Sequence, residues 1–113
     1  MVVKEAANQK YCTDAFSRAA FLSVCEAAGV PVQTFANRSD MAGGSTLGNL
    51  SNTQVSMHGV DVGLPQLAMH SSYETCAVCD VKLSIDALKG VLRCGNRHQR
   101  VRLHRAEIGK TYE

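Results

Sequence analysis

Segments typical of strands and segments typical of helices alternate along the first 92 residues, and this alternation limits the fold more than any other feature. The predicted strands cover residues 1–4, 31–36 and 55–62. Helices are predicted over residues 14–28, 45–52 and 72–92. Such an alternation favours an α/β sheet covered by helices. Because three strands make only a thin sheet with exposed edges, a full domain of this class needs more chain.

Specific residues mark the ends of these helices. Thr13 or Asp14 can cap the first helix, and Gly29 stops it. Ser71 and Glu74 have the spacing of a capping box, which predicts that the third helix starts beside them. The apolar face of that helix is predicted to be Ala77, Val81, Ile85, Leu88 and Leu92.

The composition restricts the class of protein. A chain of 113 residues can form one small domain or a piece of a larger one. No apolar run approaches the ~20 residues of a membrane span, and the N-terminus has no signal-peptide pattern. The five cysteines do not follow the spacing of a secreted disulfide framework, so we expect a cytoplasmic protein in a reducing environment.

Charge divides the chain into two parts. Residues 1–92 carry six Lys/Arg and eight Asp/Glu, whereas residues 93–113 carry six and two. The net charges are therefore −2 and +4. We predict one unit over residues 1–92 and a separate basic tail over residues 93–113.

His70 is a candidate metal ligand. A turn containing Gly63 and Pro65 leads to it from the third predicted strand, directly before the predicted start of a helix. The positive end of a helix disfavours imidazolium, so the ring would stay neutral, as a divalent metal requires. The alternative is a histidine that only packs or caps locally, and the spacing alone does not exclude it.

A glycine pair, Gly43 and Gly44, precedes the second predicted helix. Backbone N–H groups exposed there could cradle an anionic or carbonyl oxygen. No lysine follows at the position that a phosphate loop requires, so an ordinary tight turn is favoured.

Four blocks of sequence are more specific together than any single motif. They are Asn8-Gln9-Lys10-Tyr11, Arg38-Ser39-Asp40, Gly44-Ser45-Thr46-Leu47-Gly48 and the run from Val60 to Ser71. These blocks resemble the closing third of the aspartyl aminopeptidases, which are cytosolic dizinc metallopeptidases that remove acidic N-terminal residues. The resemblance covers about residues 2–92 and is most specific over residues 63–71. Residues 93–113 do not resemble the family.

The resemblance implies a fold and an assembly. The fold class would be α/β, with a three-layer sheet and helices on both faces, of which residues 1–92 would form a C-terminal piece. The family forms closed homo-oligomers in the cytoplasm, and its substrates are peptides with an acidic N-terminal residue. Neither a membrane nor a nucleic acid is implied as a partner.

The resemblance also implies roles for three residues. His70 would bind one of two zinc ions, Lys4 would pair with the acidic side chain of the substrate, and Tyr11 would contact bound substrate near the metals. An ammonium group suits a carboxylate, and a phenol can donate to a developing oxyanion. The general base and the other zinc ligands of the family lie upstream of the segment that resembles this chain. We therefore expect the isolated chain to be inactive, because a catalytic zinc needs about three protein ligands.

A different class of protein is possible for the C-terminal third. Cys76, Cys79, Cys94 and His98 have a spacing close to that of a zinc ribbon, and the arginines after residue 92 could contact nucleic-acid phosphates. The helical apolar pattern around Cys76 and Cys79 argues against this alternative. A redox function of Cys76 and Cys79 has still less support, because Cys76 is predicted to lie one turn into a helix, on its core side.

Overall fold

The structure, a computed structural model, describes the backbone of residues 1–108 and the side chains of residues 1–95. In chain order the strands are β1 (Val2–Glu5), β2 (Gln33–Ala36), β3 (Asp61–Gly63), β4 (Gln66–Leu67) and β5 (Thr75–Cys76). The helices are α1 (Ala15–Ala27), α2 (Leu47–Gln54) and α3 (Val78–Ile108). Helices and sheets are both present, so the predicted mixed α/β class is confirmed.

A three-stranded sheet in the order β2-β1-β3 organises the N-terminal half of the chain, from Val2 to Gly63. β1 pairs with β2 in parallel, with Val3 opposite Thr34. A parallel pair needs a crossover connection, and α1 supplies it. β1 pairs with β3 antiparallel, with Val3 opposite Val62. The strand nearest the N-terminus is thus the central one.

Helix α1 forms where its end signals predict it. The Asp14 carboxylate accepts a hydrogen bond from the Ser17 N–H, and the Ser17 hydroxyl accepts one from the Asp14 N–H. This reciprocal pair satisfies two backbone donors at the helix N-terminus. At the other end Gly29 has a φ of +67°, a conformation that glycine adopts without steric cost. The predicted first helix is therefore confirmed at both ends.

The apolar core lies on one face of the sheet. Val3 of β1 and Cys25 of α1 have no exposed surface, and Phe21 and Ala87 pack with them. Successive residues of a strand face opposite sides, so Lys4 lies on the other face from Val3. An ion pair holds α1 at the edge of this core, with Arg18 Nε 2.5 Å from Glu5 Oε1.

The third strand is shorter than predicted. Residues 55–62 were expected to be extended, but only Asp61–Gly63 pairs with β1, and α2 continues to Gln54. Gly59 forms one isolated bridge with Thr13. Val55 and Met57 are at least half exposed, so alternation of residue types in this stretch did not reflect burial against a sheet.

The third helix begins later than predicted and buries a different face. A short hairpin of β4 and β5 occupies residues 66–76, and α3 starts only at Val78. The buried or half-buried apolar residues of its first turns are Leu83 and Ala87. The face predicted to be buried is exposed instead: it includes Val81, Ile85, Leu88 and Leu92.

The end of α3 also bears on the predicted boundary at residues 92 and 93. The helical backbone continues across it to Ile108, so no break in secondary structure coincides with the change in charge. Among the described residues, no helix is both long and apolar enough to cross a membrane.

Helices α1 and α3 approach each other at a glycine. A Cβ built on Gly90 would lie 2.8 Å from Val24 Cγ1, closer than real carbon atoms approach, whereas a Cβ on Gly95 meets no atom within 4 Å. Because the valine side chain is stiff, it cannot move aside easily.

We expect Gly90→Ala to lower the free energy of unfolding by about 1–3 kcal/mol, since the added methyl group overpacks the contact. Gly95→Ala is the matched control. It should raise helix stability by up to about 1 kcal/mol, because alanine has the higher helix propensity. Urea unfolding followed by circular dichroism measures both. Equal shifts in the same direction would contradict the contact.

Candidate functional site

Lys4 and Tyr11 are brought together on the sheet face opposite the apolar core. Lys4 Nζ lies 5.8 Å from the centre of the Tyr11 ring, close enough for a cation–π contact. Tyr11 is only 8% exposed and Lys4 is half-buried. The lysine side chain passes beside Gly63 of β3, since a Cβ built there would lie 3.4 Å from Lys4 Cε, an ordinary packing distance. Within the described part of the chain, the ammonium group forms no ion pair with a carboxylate.

His70 lies in the exposed loop between β4 and β5, not before a helix. Its N–H donates to Glu74 Oε1, and its φ is +69°, a left-handed conformation that is uncommon outside glycine. The Ser71 hydroxyl accepts from the Tyr73 N–H. Ser71 and Glu74 thus stabilise a turn instead of capping a helix. His70 does not lie at a helix N-terminus, so the expectation that a helix dipole keeps its ring neutral was wrong. Its role as a metal ligand stays a prediction.

Of the three predicted site residues, Lys4 and Tyr11 are the two with a described contact to each other. Lys4 and Tyr11 are in contact, and the described polar contact of His70 is with Glu74. Among the residues that the structure describes, no group of three or more His, Cys, Asp or Glu side chains could hold a metal ion. His70 can therefore supply one imidazole to a zinc ion, and the remaining ligands would have to come from elsewhere.

Asp61 connects the segments around this site, and the sequence reasoning did not single it out. Its Oδ2 accepts hydrogen bonds from the Cys12 N–H at 2.6 Å and from the Thr46 hydroxyl at 2.9 Å. Its own N–H donates to Thr13 Oγ1 at 2.8 Å. One half-buried carboxylate thereby joins β3, the loop after Tyr11 and the start of α2. The sequence could have indicated a role for Asp61, since it is an acidic residue within the block over residues 60–71.

Cys12 is enclosed beside this carboxylate. A Cβ on Gly48 or Gly59 would come within 2.7 Å of its Sγ, so both glycines allow close packing around the sulfur. Burial, followed by the hydrogen bond to Asp61 and its negative charge, raises the pKa of the Cys12 thiol to about 11. This thiol is therefore structural and poorly nucleophilic.

A cavity of about 510 Å³ opens beside Tyr11 and Cys12, between their loop and α2. The residues that α2 contributes to its lining are Asn49, Asn52 and Thr53. The cavity gives solvent and small molecules access to the loop that carries Tyr11, although Tyr11 itself is buried.

The glycine pair forms a loop that a lysine fixes. Lys10 Nζ donates to the Gly43 carbonyl at 2.9 Å, and α2 begins four residues after this glycine. The Thr46 hydroxyl at the helix start binds Asp61 instead of capping the helix. The side chains in this region are thus engaged in holding the loop, in keeping with the favoured interpretation as an ordinary turn.

The alternative metal module is not supported. Cys79 lies in the first turn of α3 and Cys94 lies fifteen residues later in the same helix, which separates them by about 22 Å along the axis. No single ion can bind both. The side chain of His98 lies outside the described residues, as do those of the arginines that follow it. The helical position assumed for Cys76 was also wrong, because this residue ends β5 and is exposed.

His58 pairs with the residue that caps α1. Its Nδ1 lies 2.6 Å from Asp14 Oδ2, and its ring is 4.7 Å from that of Phe16. The backbone hydrogen bond from Ser17, followed by the bond with His58, lowers the pKa of the Asp14 carboxyl to about 2. His58 is exposed.

Comparison with known proteins places this chain in a family of metallopeptidases. The family model for aminopeptidase I zinc metalloproteases, M18, matches residues 1–91, and the chain belongs to this family. It is 50% identical over 78 residues to a probable M18 family aminopeptidase 2 of Clostridium novyi (strain NT), covering 69% of this chain and 18% of that protein. It is 44% identical over 89 residues to a probable aspartyl aminopeptidase of Ricinus communis, covering 79% and 18%.

A solved structure agrees with these matches. The chain superposes on the cryo-EM structure of the Ape4 and Nbr1 complex with a TM-score of 0.76 and 34% identity, covering 79% of this chain and 17% of that one. The chain thus spans about 18% of the length of the curated relatives named above. The resemblance to aspartyl aminopeptidases is confirmed at the level of the family.

The environment of Cys12 predicts an order of thiol reactivity. Iodoacetamide should alkylate the exposed Cys76 and Cys79 before Cys12 and the buried Cys25, as measured by peptide mass spectrometry. Asp61→Asn should accelerate the reaction of Cys12 by about tenfold per pKa unit, because it removes a negative charge that disfavours the thiolate. Asp40→Asn is the control and should leave the rate unchanged. Rapid alkylation of Cys12 in the unaltered chain would contradict the enclosure.

The depressed pKa of Asp14 predicts a specific loss of stability in acid. The folded pKa is about 2 and the ordinary value is 3.8, so the stabilisation is present above about pH 4 and is lost as the pH falls towards 2. Asp14→Asn should flatten the fall in unfolding free energy over this interval, as measured by urea titrations at several pH values. The control is Asp40→Asn, whose carboxylate contacts the exposed Arg38. A curve for Asp14→Asn as steep as that of the unaltered chain would refute the assignment.

Proposed function

We propose that this chain is a catalytic-domain segment of a zinc aminopeptidase that removes acidic N-terminal residues from peptides. Lys4 binds the acidic side chain of the substrate, Tyr11 contacts the substrate near its scissile bond, and His70 is a zinc ligand. Membership of the M18 family and the likeness to a probable aspartyl aminopeptidase support the reaction class. Acidic specificity rests on the residues themselves.

The single observation that carries this proposal is the state of the Lys4 ammonium group. It is half-buried above the Tyr11 ring, and no described carboxylate pairs with it. A partly buried ammonium group without a carboxylate is well suited to receive one from a ligand, because charge-assisted hydrogen bonds are roughly twice as strong as neutral ones. An N-terminal aspartyl or glutamyl side chain supplies that carboxylate.

Tyr11 and His70 would act at the peptide bond that is cleaved, whereas Lys4 would bind the substrate side chain. The Tyr11 hydroxyl can donate a hydrogen bond to the oxygen that becomes negatively charged when the peptide carbonyl is attacked. The His70 side chain is exposed, so its ring is accessible to an ion. Zinc, when bound, polarises the carbonyl and lowers the pKa of water at the site. Because one imidazole cannot complete a zinc site, we propose that residues 1–113 alone have no turnover.

The remaining proposals follow the family. The complete domain would be a three-layer α/β unit with helices on both faces of a larger sheet, and it would act in the cytoplasm as a homo-oligomer. Residues 93–113 would be a basic addition to the family segment, which the family model supports by ending its match at residue 91.

Kinetics of a chimera test the specificity. Residues 1–91 would replace the matching segment of the Ricinus communis protein, which is 44% identical over 89 residues. Lys4→Met should lower kcat/KM for an N-terminal aspartyl peptide by about 10–150-fold, since a charged hydrogen bond contributes about 1.5–3 kcal/mol. A leucyl peptide should be little affected, because it never used the ammonium group.

The controls separate specificity from stability. Lys82→Met removes an exposed lysine of α3 and should leave both substrates unaffected. His70→Ala should abolish turnover of both and reduce the zinc content of the purified chimera. Equal losses for both substrates with Lys4→Met would disprove the role of Lys4, and full zinc content with His70→Ala would disprove that of His70.

A further inference from the structure

Cys76 and Cys79 occupy positions that suit a redox-active pair of thiols. The sequence pattern predicted Cys76 inside a helix, on its core side, and that position argued against a redox function. Cys76 instead ends β5 and is exposed, and Cys79 is exposed in the first turn of α3. Two exposed thiols therefore flank the point at which a strand leads into a helix.

The backbone around the two cysteines is held on both sides. Cys76 pairs with Gln66 in the hairpin of β4 and β5. The Asp80 N–H donates to the Ala77 carbonyl at 3.0 Å and closes the first turn of α3. Only two residues separate the thiols, so each keeps the other close by. A C-x-x-C pair at the start of a helix is the spacing on which dithiol oxidoreductases depend.

The other three cysteines cannot compete as partners. Cys25 has no exposed surface. Cys12 is enclosed, and the raised pKa of its thiol disfavours the thiolate that disulfide exchange requires. Cys94 lies fifteen residues after Cys79 in the same helix, about 22 Å along the axis, whereas a disulfide needs Cα atoms within about 7 Å. Each of the two exposed thiols therefore has the other as its partner.

We propose that Cys76 and Cys79 form a redox site that small-molecule disulfides, such as oxidised glutathione, convert into an internal disulfide. The thiolate of one cysteine attacks a sulfur of oxidised glutathione, forms a mixed disulfide and releases one glutathione thiolate. The thiolate of the other cysteine attacks the protein sulfur of that mixed disulfide and releases the second glutathione thiolate. Two electrons pass from the protein to glutathione, and the two protons of the cysteines end on the two released thiolates.

The local structure makes this disulfide reversible. The ring that it closes is short, so its formation costs little chain entropy. The two Cβ atoms must come within about 3.5–4.5 Å, and the adjustment falls on Ala77 and Val78. Val78 is 91% exposed, so no packed side chain opposes the movement. Exposed disulfides are of the labile kind that excess thiol reduces again.

Oxidation of the folded 113-residue chain with oxidised glutathione, followed by peptide mass spectrometry, tests the proposal. The unaltered chain should lose two hydrogen atoms and yield a peptide that links Cys76 to Cys79, and dithiothreitol should restore the original mass. Cys76→Ser and Cys79→Ser should each retain one bound glutathione, because the second attacking thiol is missing. Cys94→Ser is the matched control and should form the same internal disulfide as the unaltered chain.

Three results would overturn the proposal. They are glutathione that persists on both cysteines of the unaltered chain, a disulfide from either one to a different cysteine, and a disulfide between two chains. Serine at exposed positions preserves folding, which an unchanged circular dichroism spectrum of each variant checks. In urea, glutathione should also modify Cys12 and Cys25, because unfolding exposes them. Equal modification of these two in the folded chain would likewise refute a site selected by the fold.

Discussion

Asp61 makes the interactions on which the arrangement of this chain depends. Its carboxylate accepts hydrogen bonds from the Cys12 N–H and the Thr46 hydroxyl, and its N–H donates a third to Thr13 Oγ1. These bonds join the end of the sheet to the loop that follows Tyr11 and to the start of α2. Each partner is a backbone N–H or a hydroxyl that would otherwise remain unsatisfied in a partly buried place. The loop that carries Tyr11 is thereby fixed against the strand that neighbours Lys4. The geometry of the Lys4–Tyr11 pair follows from this fixation, since neither side chain is held to the other by a hydrogen bond.

The predictions from sequence that succeeded depended on local signals. α1 was located because Asp14, Ser17 and Gly29 act on backbone groups within a few residues of themselves. Strand β1 and the parallel strand β2 were also found, because β-branched residues cluster there. The family resemblance was recognisable for a related reason, since its most specific block is continuous in sequence.

The predictions that failed concerned strand pairings and hydrogen bonds between residues that are distant in the sequence. Ser71 and Glu74 have the spacing of a capping box, but no helix starts beside them. Gln66 and Leu67 pair with Cys76 and Thr75, so the chain forms a hairpin there. Nothing in the pattern of residues 55–60 shows that this stretch lacks a strand to pair with. The sequence analysis did not predict a role for Asp61, because its three hydrogen bonds are with residues at least fifteen positions away. A pattern along one segment does not report such contacts.

The face of α3 that packs against the core differs from the face that the sequence pattern predicted. The helical pattern of residues 77–92 was recognised correctly, yet it was assigned to the wrong side of the helix. Periodicity identifies which residues share a face, but a helix with two apolar faces offers two equally good choices. In this chain the sheet and α1 cover the side of Ala87, because Gly90 permits close approach there. The face that carries Val81, Ile85, Leu88 and Leu92 stays exposed, because α1 and the sheet lie on the side of Ala87.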